Sequence, residues 1–159
     1  MRDFRIRRAT LADVEALAGL FEAYRRFYEL PADLALARDF LRDRLRNDDS
    51  VVFVASDEGA HPVGFVQLYP SHCSLAAARI FVLYDLWVQP DARRRGVARE
   101  LMDAAVAHAV EAGAARLDLM TARDNVTARR LYEALGWTRD ERFYTYSLRL
   151  PRNPPPPNG

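Results

Sequence analysis

The stretch ARIFVLYDLWVQ, from Ala78 to Gln89, limits most strongly what this chain can fold into. Its side chains are apolar on both faces of a β-strand, which is typical of a central strand that is covered on both sides. Pro90 follows directly, then three consecutive arginines, Gly96 and an amphipathic helix that ends at Gly113. A buried strand followed by a covering helix indicates a mixed α/β domain.

The first half of the chain adds strands and helices of ordinary length. FRIRRAT predicts a strand, and Thr10 with Asp13 forms a capping box at the start of a helix that ends before Pro31. The apolar stripe of this helix is Leu11, Val14, Leu17, Ala18 and Phe21. A second helix, from Asp33 to Arg46, is expected to bury Leu34, Leu41 and Leu45.

Four further strands and one further helix complete the predicted elements. SVVFVAS and PVGFVQLYP form a hairpin across the turn at Gly59. RLDLMT is a strand, NVTARRLYEAL is a helix closed by Gly136, and RFYTYSLRL is a last strand. Its inward residues are Tyr144, Tyr146, Leu148 and Leu150. The sequence therefore predicts one domain over residues 1–150, and a disordered Pro-rich tail over residues 151–159.

Charge and cysteine content argue against several classes of protein. Lys and Arg together number 23 and Asp and Glu 22, a balance that disfavours nucleic-acid binding. The single cysteine, Cys73, excludes an internal disulfide and fits a reducing cytoplasm. The start of the chain lacks the apolar core of a signal peptide, and no apolar run is long enough to cross a bilayer. The three histidines lack metal-ligand spacing, so we expect no metal site, no membrane partner and a cytoplasmic location.

The segment VQPDARRRGVARELM carries the first candidate site. A helix N-terminus offers unpaired N–H groups and a positive dipole end to a phosphate, and Gly96 lets the backbone approach it. The segment matches neither the P-loop nor the dinucleotide fingerprint. Taken alone, it reads equally well as a solvated surface turn.

The segment DNVTARRLYEALGW carries the second. Asn125, Arg129 and Tyr132 share one face of the predicted helix. A phenol such as Tyr132 is able to donate a proton to a leaving group. The alternative is a core tyrosine whose hydroxyl is satisfied at the rim of the core.

Together the two segments resemble the GNAT superfamily of acyl-CoA-dependent N-acetyltransferases, and the resemblance extends over nearly the whole chain. The residues that match its motifs are Val88, Pro90, Arg93, Gly96, Ala98, Asn125, Ala128, Leu131, Tyr132, Gly136 and Trp137. The resemblance implies a single domain with a central, mixed, mostly antiparallel sheet flanked by helices. It also implies acetyl-CoA as the acetyl donor, and often a homodimer.

The resemblance further implies a role for each part of the two segments. Backbone groups of the central strand pair with the pantetheine arm, the helix start holds the pyrophosphate, and Tyr132 protonates the departing thiolate. A strand N–H near Val88 polarises the thioester carbonyl. The implied cofactor-binding residues are Leu86, Trp87, Val88, Arg93, Arg94, Arg95, Gly96, Val97, Ala98, Arg99, Asn125 and Tyr132.

Asp85 is the one charged residue in the apolar stretch FVLYDLWV. A buried carboxylate needs either an arginine partner or a functional task, and it would suit an amine that must lose a proton before attack. YDLWV resembles the diamine acetyltransferase-like branch, although Tyr84 replaces that branch's glutamate. With Asp85, the expected acceptor-binding residues are Phe27, Tyr28, Glu29 and Tyr84; the aromatic ones are equally well explained by packing.

These observations predict an N-acetyltransferase that acts directly, in a ternary complex, on a primary amine of a small molecule. Tyr132 and Asp85 are the predicted catalytic residues. The alternative acceptor is a peptide or protein amine. The rival classes are a catalytically silent acyl-CoA sensor, and a nucleic-acid binder whose affinity would fall steeply with salt.

Overall fold

The computed structural model describes residues 4–151, so the Pro-rich tail lies outside the described residues after Pro151. The chain divides into two units, one up to Ala122 and one from Arg123. The helices of the first unit are α1 (Val14–Phe27), α2 (Leu34–Asn47) and α3 (Val97–Glu111). Its strands are β1 (Arg5–Arg8), β2 (Val51–Ser56), β3 (Pro62–Cys73), β4 (Ala78–Val88) and β5 (Leu117–Leu119).

The strands form one five-stranded sheet in the order β1-β2-β3-β4-β5. The first three pairings are antiparallel and only β4 with β5 is parallel. This arrangement confirms the predicted mixed, mostly antiparallel sheet. The apolar stretch from Ala78 to Val88 is β4, which has a neighbouring strand on each side as predicted.

Helices cover both faces of the sheet. Since successive side chains of a strand point to opposite faces, neighbouring residues pack against different helices. On one face, Val52, Val54 and Phe65 pack in a cluster with α1 and α2. On the other face, the His108 ring of α3 lies 5.9 Å from the Phe53 ring and 5.4 Å from the Phe81 ring, between centroids. The site described below lies at β4, between these two layers.

Two helix residues predicted to be buried are exposed. Leu11 is 50% exposed because it belongs to a short 3-10 turn, Leu11–Asp13, that precedes α1. Leu34 is 47% exposed at the first position of α2, where the helix has only begun to approach the core. The other stripe residues of α1 and Leu41 are buried, and Leu45 is partly buried. The Thr10 capping box is present, and Asp33 caps α2 by accepting from the Leu36 N–H at 2.9 Å.

The second unit contains α4 (Val126–Ala134). Gly136 follows it with φ of +85°, a left-handed conformation that suits glycine, so the predicted helix stop is confirmed. The predicted last strand over residues 142–150 is wrong: the structure assigns no strand there, and Tyr144, Tyr146, Leu148 and Leu150 are exposed. Alternating side chains suit a strand, but a strand forms only where a partner completes its hydrogen bonds, and the pattern names no partner.

Candidate active site

β4 has two different halves. β5 pairs with β4 only from Phe81 to Leu83, so among the described residues the same edge of β4 has no strand beside it from Tyr84 to Val88. On the β3 side, Gln67 lies opposite Asp85 while Leu68 lies opposite Leu83. Tyr84 is therefore the extra residue of a β-bulge, a feature that bends a strand and re-aims its side chains.

The open edge of the second half presents backbone groups in a fixed order. The Gln89 N–H donates to the Val63 carbonyl of the β3 side at 2.8 Å. Because antiparallel pairing alternates along a strand, the N–H groups of Leu86 and Val88 point to the open edge. The Val88 carbonyl on that edge accepts from Arg93 Nε at 2.9 Å. The edge therefore offers donors to an extended ligand.

The loop after β4 leads into the start of α3. Arg94 and Gly96 both have left-handed backbones, with φ of +60° and +86°. No side chain caps α3, and the first amides of a helix have no partners within it. These amides and the helix dipole form an anion-binding end next to the open edge of β4.

Two of the three consecutive arginines fold back onto aromatic rings. The Arg93 guanidinium lies 4.8 Å from the Trp87 ring centroid, and that of Arg95 lies 4.6 Å from the Phe4 ring centroid. Both distances are in the range of a cation–π contact. The triplet thus shapes the loop, rather than projecting together as a basic patch.

Asp85 is a buried carboxylate held by neutral donors. It is 4% exposed, and Gln67, which is fully buried, donates from Nε2 to Asp85 Oδ2 at 2.7 Å. The Tyr24 hydroxyl also hydrogen-bonds with the Asp85 carboxylate. That hydroxyl also donates to the Tyr84 carbonyl oxygen at 3.4 Å, so its hydrogen is shared between the two acceptors.

The described residues place no cation within ion-pair distance of Asp85. Burial therefore raises the pKa of Asp85, and the hydrogen bonds from Gln67 and Tyr24 offset only part of this effect. Residues 4–151 hold no structural arginine against Asp85, the alternative that the sequence left open. The carboxylate carries a desolvation cost that a cationic ligand or a proton would relieve.

A pocket of about 220 Å³ lies beside Asp85. Its lining residues are Tyr24, Tyr28, Val82, Leu83, Tyr84, Met120, Thr121 and Ala122. Tyr28 and Tyr84, two of the predicted acceptor-binding residues, are brought together here. Phe27 and Glu29 are not part of the lining: Phe27 packs with its ring centroid 5.6 Å from that of Trp87, and Glu29 is exposed.

Sequence reasoning missed Tyr24 and Gln67. Tyr24 on α1 is one helical turn before Tyr28, the C-terminal cap of the helix, a spacing that could have signalled a shared face. Gln67 is the polar residue among buried neighbours in β3, but its place opposite Asp85 depends on the strand register. A pattern in one strand cannot supply that register.

The second unit carries the other predicted site residues. Asn125 accepts from the Ala128 N–H at 3.3 Å and so caps α4. The ring of Tyr132 lies 6.2 Å from that of Trp137, between centroids, and Tyr132 is half-buried. The cofactor contact of Asn125 and the proton donation by Tyr132 stay predictions.

The profile of the Acetyltransferase (GNAT) family matches residues 17–137. The chain belongs to this family. It is 42% identical over 146 residues to the N-acetyltransferase YhfO of Bacillus subtilis, covering 92% of this chain and 97% of that protein. The predicted acetyl-CoA-dependent acyltransferase is thereby confirmed, whereas the diamine acetyltransferase-like branch stays a prediction.

Solved structures agree with this assignment. The crystal structure of a probable acetyltransferase has a TM-score of 0.87 at 39% identity, covering 94% of this chain and 99% of that one. An aminoglycoside N-acetyltransferase in complex with CoA has a TM-score of 0.77 at 23% identity, covering 92% and 95%. At that identity the second comparison shows a shared fold and nothing finer.

No helix within residues 4–151 is both long and apolar enough to span a membrane. No three residues among His, Cys, Asp and Glu in this range are grouped so that they could hold a metal ion.

Proposed function

We propose that the protein transfers the acetyl group of acetyl-CoA directly to a primary amine of a small molecule, within a ternary complex. The observation that supports this most is the buried carboxylate of Asp85. It has no cationic partner among the described residues, and the preceding residue, Tyr84, lines a pocket together with Tyr24 and Tyr28. A protonated amine supplies the missing positive charge.

The residues around this edge fit acetyl-CoA. The N–H groups of Leu86 and Val88 would pair with the amide groups of the pantetheine arm, much as an added strand pairs with a sheet edge. The uncapped start of α3, from Arg94 to Arg99, would hold the pyrophosphate. Bound there, acetyl-CoA would supply the activated acyl group.

Three groups of the chain then perform distinct tasks. The Val88 N–H polarises a carbonyl oxygen placed at the open edge, as donors in oxyanion holes do. Asp85 accepts the proton that the ammonium form of the acceptor must lose. Tyr132, in the role that the family resemblance implies, donates a proton to the departing thiolate.

The size of the pocket favours a small acceptor. About 220 Å³ is below the ~300–1,000 Å³ typical of sites for drug-sized ligands, so the pocket suits a small amine or the tip of a longer one. A peptide or protein amine is the alternative acceptor. The cytoplasmic location and the homodimer stay predictions from the sequence.

Release of free CoA thiol from acetyl-CoA, measured across a panel of small primary amines, polyamines and lysine peptides, tests the proposal. We expect turnover with small cationic amines and little with peptides. Tight acetyl-CoA binding without turnover on any acceptor would contradict the enzyme and favour an acyl-CoA sensor. Failure to bind any acyl-CoA would contradict the proposal as a whole.

A further inference from the structure

Tyr24 connects the pocket with the buried carboxylate. It lines the pocket from α1, and its hydroxyl hydrogen-bonds with Asp85. Asp85 itself is 4% exposed and is not among the lining residues. An amine in the pocket therefore meets the Tyr24 hydroxyl before it meets the carboxylate.

We propose that Tyr24 is a further catalytic residue, which relays the proton of the acceptor ammonium to Asp85. An N–H bond of the ammonium breaks as its proton moves to the Tyr24 oxygen. In the same step the proton of the Tyr24 hydroxyl moves to the Asp85 carboxylate. The products are a neutral amine, a neutral tyrosine and a neutral carboxylic acid, and the inference rests on the proposed function.

The electrostatics of the site favour this direction of transfer. Burial raises the pKa of Asp85, so a proton on this carboxylate removes an uncompensated buried charge. Burial and the charge of Asp85 also raise the pKa of Tyr24 far above its ordinary value. A free tyrosinate is therefore disfavoured, and Tyr24 must gain and lose its protons together.

The other groups that face Asp85 leave Tyr24 as the only relay among the described residues. Burial raises the pKa of Tyr28, just after α1, and that of Tyr69 on β3, and the negative charge of Asp85 raises both further. Neither residue makes a hydrogen bond to Asp85. Gln67 donates a hydrogen bond to Asp85, but its amide N–H does not ionise at accessible pH and cannot transfer a proton.

Ring contacts hold the Tyr24 hydroxyl in place. The Tyr24 ring is stacked on Phe21, with 6.1 Å between centroids, and meets Phe65 edge-on at 6.0 Å and Trp87 edge-on at 6.4 Å. Tyr24→Phe keeps this packing and removes only the hydroxyl. The variant is thus a direct test of the relay.

The kinetic test compares Tyr24→Phe with Tyr69→Phe, a matched control that loses a half-buried hydroxyl outside the pocket. We expect kcat to fall about 10²-fold in Tyr24→Phe, with unchanged acetyl-CoA affinity, and to stay near the wild-type value in Tyr69→Phe. In an Asp85→Asn background, Tyr24→Phe should cause no further loss, because both residues serve one step. A wild-type kcat in Tyr24→Phe, or equal losses in both backgrounds, would overturn the relay.

A titration of the Asp85 carboxyl by carbon NMR gives a readout besides activity. Loss of the Tyr24 hydrogen bond should raise the pKa of Asp85 further in Tyr24→Phe and leave it unchanged in Tyr69→Phe. An unchanged Asp85 pKa in Tyr24→Phe would overturn the relay. No turnover by the wild type on any amine would overturn the proposed function and the relay with it, whereas turnover with an unaffected Tyr24→Phe would overturn the relay alone.

Discussion

The two halves of β4 use one strand for two purposes. From Ala78 to Leu83, the strand pairs with β3 and, from Phe81 onward, also with β5, and Ile80, Phe81 and Leu83 are 2–6% exposed. From Tyr84 to Val88, it keeps β3 but has an open edge and a buried carboxylate. The bulge at Tyr84 separates the two halves. The buried first half anchors the strand in the sheet and so positions Asp85 and the open edge of the second half.

The first half of β4 contributes mainly to stability, and the second half to the proposed activity. Buried apolar area in the first half contributes to folding, whereas the uncompensated Asp85 in the second half opposes it. A group that costs stability without a structural partner is the kind of group that catalysis explains. Substitutions in the two halves should therefore affect different measurements.

The largest expected effect is a loss of turnover when Asp85, in the second half of β4, is replaced. Asp85→Asn keeps the shape of the side chain and removes the proton acceptor, so turnover at neutral pH should fall about 10²–10⁴-fold. The free energy of unfolding, measured in urea, should be unchanged or higher. Asp118→Asn on β5 is the matched control and should leave turnover unchanged, since the one ion pair of Asp118 among the described residues is with Arg116 at the surface. Normal turnover in Asp85→Asn would end the proposed role of Asp85.

Substitution of a buried residue in the first half of β4 should lower stability. Phe81 is 2% exposed, and Phe81→Ala should lower the free energy of unfolding by about 3–5 kcal/mol, through lost burial and a cavity. Denaturant unfolding measures the change. If the folded fraction lost turnover while its stability stayed at the wild-type value, the division between the halves would be wrong.

A smaller effect is expected where β3 contacts the second half. A Cβ on Gly64 would lie 2.8 Å from the Trp87 carbonyl oxygen, so Gly64→Ala must shift β4. We expect a cost of about 1–3 kcal/mol in stability, with weaker acetyl-CoA binding by calorimetry. Gly19→Ala in α1 is the matched control: a Cβ there meets nothing within 4 Å, and the variant should be slightly more stable. An unaffected Gly64→Ala would show that this contact does not position the edge.

The smallest effect is a pH dependence. The folded state holds the Asp85 proton more strongly than the unfolded chain, where a carboxyl has a pKa near ~3.9, because burial raises the folded pKa. Stability of the wild type should therefore fall as pH rises from about 4 through the folded pKa, relative to Asp85→Asn. Urea unfolding of both proteins across this window measures the difference. A difference that does not change with pH would mean that Asp85 keeps its ordinary pKa.

Local patterns predicted much of the fold. Three of its features depend only on residues close in sequence, and the structure has all three. They are the continuous apolar run of β4, the stop signals at Gly113 and Gly136, and the Thr10 capping box. The predicted burial of Leu11 and Leu34 was wrong because hydrophobic periodicity does not show which part of a helix meets the core. The last strand was wrong because alternation does not supply a pairing partner.

The site was predictable only in part, for the same reason. Asp85 stood out because a charge is rare in an apolar strand, and the matched motifs marked the loop at Gly96. The partners of Asp85 were missed, since Gln67 reaches it through strand register and Tyr24 through the packing of α1 on the sheet. Contacts between distant segments leave no local signal.

Amide hydrogen exchange at the second half of β4, with and without acetyl-CoA, tests whether acetyl-CoA binds along the open edge of this strand. The Leu86 and Val88 amides point to the open edge, whereas the Trp87 and Gln89 amides already face β3. We expect acetyl-CoA to slow exchange at Leu86 and Val88 and to leave exchange at Trp87 and Gln89 nearly unchanged. Binding of acetyl-CoA without protection of Leu86 or Val88 would contradict binding along this edge.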